Sequence, residues 1–323
     1  MQFISRIINK PVYIFVILVT ESFKLIYNSN MKSFLSLISL CILMLVSSKG
    51  FGQNYSFKKK FGTQKNTMYV YWGYNRSIYS KSNVNFYGPE YDFTVKKLAA
   101  SDRPSREFAT YINPATISVP QFNIRVGWYY KFRWDISIGY DHMKYVMKKN
   151  QNLYINGDAG TTTTSQLIGE YTDEDGLIPI RYDDLHYENT NGLNYISFQL
   201  SNTAPLFKTN DRKFAIQRRA GFGLGPVVTQ TDFNWDGEIY HTNFGLSGYG
   251  FSAHSGVRFD FFNRFFLASN WSGGFIHLPK NRTAPVDDLF AKQKFVYGQW
   301  ELLGGVLFYL KTKNGCDTCP DWH

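Results

Sequence analysis

Charge is scarce in this chain. Only 19% of its 323 residues are Asp, Glu, Lys or Arg, and there are three cysteines. That low cysteine count excludes a fold framed by disulfides. Mean hydropathy is slightly negative, which excludes a helical membrane protein built from spans of about 20 apolar residues. The formal net charge is +10, yet the basic residues form no stripe and no base-stacking motif accompanies them. Nucleic acid is therefore excluded as a partner, and the basic balance suits a surface near anionic lipid.

Aromatic residues are what the chain has in excess. They make up 18% of it, and glycine adds 26 residues. High aromatic and glycine content at modest hydropathy fits a wall in which only alternate residues face lipid.

The N-terminus reads as an export signal. Met31-Lys32 opens a short positive region, Phe34 to Val46 is apolar, and Ser47 to Gly52 is rich in small residues. This is a secretory signal peptide over 31–52, with cleavage after Gly52 exposing Gln53. Cys41 lies in the apolar part and leaves with it. Ser39 and Leu40 do not supply the small residue that a lipoprotein signal places before its cysteine. Residues 1–30 are expected to be a non-native extension, with translation starting at Met31; a long signal with two apolar stretches is the rival. Without residues 1–52 the chain keeps 30 basic and 24 acidic residues, a net +6.

Residues 53–66 are basic and polar, and are expected at the periplasmic side. From 67 to 311 the sequence alternates with period 2, the signature of strands with two unlike faces. Phe122, Ile124, Val126, Trp128 and Tyr130 alternate with Gln121, Asn123, Arg125, Gly127 and Tyr129. Trp134, Ile136, Ile138 and Tyr140 alternate with Asp135, Ser137, Gly139 and Asp141, after a turn at Phe132-Arg133. Residues 248–261 and 264–278 form a second such pair, turning at Phe262-Asn263. Weaker alternation marks Met68 to Tyr74, Ile196 to Leu200, 213–228 and 294–310. In 213–228, Arg218 breaks the apolar face, and a bulge or a position at the water interface is expected to absorb it.

Eight strands result. The links at 132–133, 204–212 and 262–263 are short; those at 80–118, 149–190, 229–246 and 279–293 are long and polar. Short turns on one side and long extracellular loops on the other describe an antiparallel transmembrane β-barrel. A further strand-like piece, Tyr91 to Leu98, is either a hairpin arm above the membrane or the sign of a ten-stranded wall.

Alternation alone does not say which face is outside, since a soluble barrel also alternates. The polar face decides. It carries Gly, Ser, Asn, Gln and Tyr with few charges, which suits the crowded interior of a narrow barrel. Trp72, Trp128, Trp134, Trp271 and Trp300 share the apolar parity and are expected in an interfacial girdle. Gly305-x-x-Phe308-x-Leu310 resembles the last-strand signal read by the barrel assembly machinery, the expected partner in biogenesis.

The chain also resembles the outer-membrane β-barrel proteins of the Bacteroidota. Tyr71 to Arg76, Tyr91 to Thr94, Asp141 to Val146 and Asn191 to Tyr195 carry the likeness, which spans most of 53–323. It implies an outer-membrane location and a barrel, and no catalytic residues.

Several side chains are candidates for function. Arg125, Asp135, Asp141, Arg219, His254, Arg258, Asp260 and Glu301 fall on the lumen parity. They read as a gate of a narrow pore or as an ion-pair network plugging the lumen, and eight strands favour the plug. His142 and Lys144 sit near the outer end of their strand, with an outward parity suited to lipid or lipopolysaccharide headgroups. Asp141 and His142 diverge, as adjacent strand residues do, and no serine motif specifies a nucleophile. Cys316 and Cys319, in the tail 312–323, are expected to form a local periplasmic disulfide rather than a metal site. Asp173 to Gly176 lacks the spaced ligands of a calcium loop. No cofactor or metal is implied. The expected role is non-enzymatic, structural or surface-interacting. A narrow channel or carrier is the alternative, and a lipid-modifying enzyme the second.

Overall fold

The computed structural model describes residues 63, 65–113, 115–116, 118–161, 167–211, 213–235, 237–285 and 288–310. All belong to the unit Lys58–His323. The signal segment, the residues before it and the Cys316–Cys319 tail lie outside the described residues.

Eight long strands form the wall. They are β1 (Thr67–Tyr79), β5 (Phe122–Lys131), β6 (Trp134–Met147), β10 (Leu185–Lys208), β11 (Phe214–Trp235), β13 (Gly245–Phe261), β14 (Phe265–Arg282) and β15 (Phe290–Tyr309). Seven short strands lie at the long-loop end. These are β2 (Ser82–Tyr87), β3 (Asp92–Leu98), β4 (Ala100–Ser101), β7 (Gln151–Asp158), β8 (Glu170–Tyr171), β9 (Ile178–Ile180) and β12 (Glu238–His241). A single helical turn, α1, covers Ala109–Ile112.

Each wall strand pairs antiparallel with the next, in the order β1-β5-β6-β10-β11-β13-β14-β15. The last strand returns to the first: β15 pairs with β1 from Thr67↔Tyr309 to Tyr79↔Tyr297. That seam leaves the wall without a free edge, so its backbone groups are satisfied within it. The turns at the short-loop end are tight. Phe262 and Asn263 both take positive φ, 54° and 55°, the pattern of a type I′ hairpin.

The Tyr91–Leu98 piece is an arm, not a ninth wall strand. It forms the hairpin β2–β3, which joins the upper end of β15 through Phe290↔Tyr87 to Gln293↔Val84 and carries β7 on its other edge. The long links also contain more strand than their sequence suggested. Residues 229–235 continue β11, and 279–282 and 290–293 belong to β14 and β15. β10 alone runs 24 residues, about 80 Å at 3.3 Å per residue, far more than a bilayer needs.

The reason is an exchange of polarity between the two faces part-way along each strand. In the short-turn half of β6, Ile136 and Ile138 point out while Asp135, Ser137 and Asp141 point in. Beyond them His142 and Lys144 take the outer face, while Met143, Tyr145 and Met147 are buried inside. β10 does the same, with Phe198 and Leu200 outside the lower half and Leu185, Tyr187 and Leu193 inside the upper half. The lower barrel is polar inside and apolar outside. The upper extension has an ordinary apolar core, into which the hairpin arm inserts Phe86 and Phe93 beside Phe233 and Trp235.

Candidate functional site

The lumen of the lower half is filled by three arginine–aspartate–tyrosine sets. Arg125 on β5 is 1% exposed and ties together side chains of the neighbouring strands β1, β6 and β10. Its Nε donates to Tyr71 Oη at 2.8 Å, and its Nη2 donates to Ser197 Oγ at 2.7 Å and to Asp141 Oδ2 at 3.3 Å. Asp141 also accepts from Asn123 Nδ2 at 2.6 Å. Arg219 on β11 donates to Asp135 Oδ1 at 2.9 Å and to Ser201 Oγ at 3.0 Å, while Tyr69 Oη donates to the same carboxylate at 2.6 Å. Arg258 on β13 donates to Asp260 Oδ2 at 3.0 Å and to Tyr129 Oη at 2.8 Å, and Gln217 also bonds to Asp260. Each of these six charges is thereby paired and hydrogen-bonded, the condition under which buried ions are tolerated.

Small residues make the room. A Cβ placed on Gly139 would collide with the Arg125 guanidinium, and one on Gly127 with the Tyr69 ring. At the short-turn end Tyr69, Tyr71, Tyr129, Phe266, Leu303 and Leu307 close the lumen with a second apolar cluster. The Arg258–Asp260 and Arg219–Asp135 pairs are interleaved with this cluster, Arg258 standing over the Phe266 ring and Arg219 over the Tyr69 ring.

All eight lumen residues named from the sequence face inward. Six form the three pairs. Glu301 joins no ion pair among the described residues; it accepts from Ser272 Oγ at 2.5 Å and Asn270 Nδ2 at 3.3 Å. His254 Nε2 lies 3.2 Å from Ser201 Oγ. That spacing is within reach for a base and a nucleophile. Here, however, Arg219 also donates to Ser201, and both side chains sit inside the closed lumen. Missed in the sequence were the tyrosine partners Tyr69, Tyr71 and Tyr129. Their parity, opposite Met68, Val70 and Trp128, was the available signal.

His142 and Lys144 need correcting as headgroup contacts. Both point outward, but they are only 7% and 8% exposed, so a headgroup has no access to them. The β4–β5 connection and the start of β5 supply part of that cover: Lys144 Nζ donates to Val119 O at 2.8 Å, and the Phe122 ring lies against His142. His142 Nδ1 also bonds to Asn194 Oδ1 at 2.7 Å. On the same wall Arg103 pairs with Glu188 at 2.9 Å and Arg76 with Asp102 at 2.7 Å. The acidic tip Asp173–Asp175 is a short 3₁₀ turn capped by Thr172, and Asp173 pairs with Lys96. Among the described residues no group of His, Cys, Asp and Glu is placed to hold a metal.

Outside the lower half, the five tryptophans share the outer face but do not form one level. Trp271 and Trp300 are cross-strand partners half-way up β14 and β15. Phe265, Phe308 and Trp134 mark the short-turn margin, and Phe122, Tyr140, Tyr249 and Phe275 the other. Among the described residues no helix is long and apolar enough to cross a membrane; strands with this outer face are the alternative means.

No family model matches the chain, and no curated protein matches it. Among solved structures it is similar to the outer membrane protein OprG of Pseudomonas aeruginosa, at 9% identity and a TM-score of 0.37, covering 78% of this chain and 100% of that one. The outer membrane protein AlkL in lipid bilayers gives 10% identity and 0.36, over 82% and 100%. Ail, the attachment invasion locus protein of Yersinia pestis, gives 10% and 0.30, over 76% and 100%.

Proposed function

We propose that this chain is an outer-membrane barrel with a sealed lumen, acting as a structural or surface-interacting protein through its extracellular extension. In this reading the short turns are periplasmic, and the upper core with its hairpin arm stands outside the cell. The barrel assembly machinery is its partner in biogenesis. Kinship with the Bacteroidota barrels is part of the proposal and rests on the sequence stretches that carry the likeness. The supporting observation is a pair of bridges between facing strands: Arg219 on β11 bonds to Tyr69 on β1, and Arg258 on β13 to Tyr129 on β5, so paired side chains occupy the axis from both sides. Conduction needs an aqueous path along the axis, and no feature of the lumen favours the channel reading over the plug.

Refolded protein in a planar bilayer should give no conductance steps. Reproducible ohmic steps from the intact chain would overturn the sealed-barrel reading. A change in lipid A mass caused by expressing the protein would instead favour the lipid-modifying enzyme.

A further inference from the structure

The outer face of β14 and β15 changes character just above the lipid-facing band. Phe275 and Val296 are the last apolar positions. Continuing upward, β14 presents His277, Lys280 and Arg282, and β15 presents Lys294 and Lys292. Lys280, Arg282, Lys292 and Lys294 are exposed. Other cations at the outer end are neutralised, Arg103 by Glu188 and, on β1 next to β15, Arg76 by Asp102. Lys292 and Lys294 make no ion pair among the described residues, and Lys280 Nζ stands 4.2 Å over the Phe290 ring.

Height places these charges. Lys294 is two residues above Val296 and Lys292 four. At about 3.3 Å per residue and a tilt near 45°, they stand roughly 5 and 9 Å above the apolar edge. The headgroup layer on each side of a bilayer is about 5–7 Å thick, so the lysines fall at its depth and just above it.

Beside them is a cavity of about 610 Å³ between the β12–β13 connection and the β14–β15 hairpin. Lys280 and Arg282 stand at its wall with Phe244 and Phe290, and Thr229 and Ser247 line its polar side. Those two hydroxyls are held by Asn281, whose Oδ1 accepts from both and whose Nδ2 donates to Tyr187 Oη. Cations and an aromatic wall just above the headgroup layer suit an anion carried on a sugar.

We propose that this face binds the phosphate groups of a phosphorylated glycolipid in the outer leaflet. Lys292 and Lys294 would take phosphate at the membrane surface, while Lys280 and Arg282 would hold the sugar-phosphate in the cavity. The inference rests on the outer-membrane reading above.

The test uses the full mature chain folded in nonionic detergent micelles and titrated with phosphorylated lipid A, binding being read by native mass spectrometry. Saturable binding is expected. Lys280→Gln/Lys292→Gln/Lys294→Gln should weaken it about a hundredfold, at about fivefold per surface cation. Removing three cations at the other end (Lys131→Gln/Lys208→Gln/Lys213→Gln) should leave it within about twofold. Equal binding by the first triple variant, or by dephosphorylated lipid A, overturns the proposal. Full competition by equimolar inorganic phosphate would make this a free-anion site and overturn the glycolipid assignment. The lysine side chains are exposed, so Lys292→Gln and Lys294→Gln singly serve if the triple variant misfolds. Failure of the barrel reading shows separately, as the absence of a heat-modifiable gel shift in the wild-type chain.

Discussion

Arg125→Met is the sharpest perturbation of the lumen. Methionine keeps most of the length of the side chain but removes the cation and every hydrogen bond it donates. Asp141 then stays buried with Asn123 at 2.6 Å and Ser197 at 3.2 Å as its remaining donors. Stranding one partner of a buried ion pair costs about 3–5 kcal/mol. Asp141→Asn in the same chain removes the stranded charge while keeping an acceptor for Asn123. The double variant should therefore recover much of the loss, with a coupling of about 1.5–3 kcal/mol. Urea unfolding of the protein in micelles, followed by tryptophan fluorescence and gel mobility together, measures all four corners of the cycle. If Arg125→Met unfolds within about 0.5 kcal/mol of the parent, or the two changes simply add, the lumen is not held by this pair and the plug argument fails.

Other substitutions probe different layers. Gly139→Leu drives a side chain into the Arg125 guanidinium, and overpacking of this kind should cost about 1–3 kcal/mol in the same unfolding assay. Phe86→Ala removes a fully buried ring from the extension and should cost about 3–5 kcal/mol there, read as faster protease cleavage within 80–121 while the barrel keeps its heat-modifiable shift. Trp271→Arg puts a charge on the outer face half-way up the wall, where it should cost about 2–4 kcal/mol in lipid; no loss would mean that this face does not meet hydrocarbon.

The wall of the lower barrel was legible because its two faces differ in a single sense over eight to ten residues. Gln121–Tyr130 and 248–261 show this plainly. The strand extensions were not legible, because the polar face and the apolar face change places. In β11, Val228 is followed outside by Gln230, Asp232 and Asn234, while Phe233 and Trp235 turn inward. Read for one parity, such a segment dissolves into a polar loop, as 229–246 does. The same exchange produces the juxtaposition Asp141-His142-Met143-Lys144: the inside stops being polar where the outside starts. Arg218 has both features expected of it: it sits four residues from the tight-turn end of its strand, and although β11 and β13 stay in register from Phe214 to Val227, β10 shifts register between Pro205 and Phe207, opposite Gln217 and Ile216. Which residues meet across the lumen depends on register around the whole ring, and no local pattern encodes that. The cover over His142 and Lys144 is equally remote in sequence, contributed in part by a connection around Val119.

The three-way pairing of β15 also sets an order of assembly. The hairpin β2–β3 is made near the start of the described chain, but one of its two edges rests on residues 290–293, near the end. The same final strand closes the seam with β1. Until it arrives, Phe86 and Phe93 have only part of their packing, and the upper core stays open to water. Contacts spanning more than 200 residues are slow to form. The upper extension and the lower ring are therefore locked by one late event, and a chain stalled before β15 would carry both an open barrel edge and an uncovered aromatic surface.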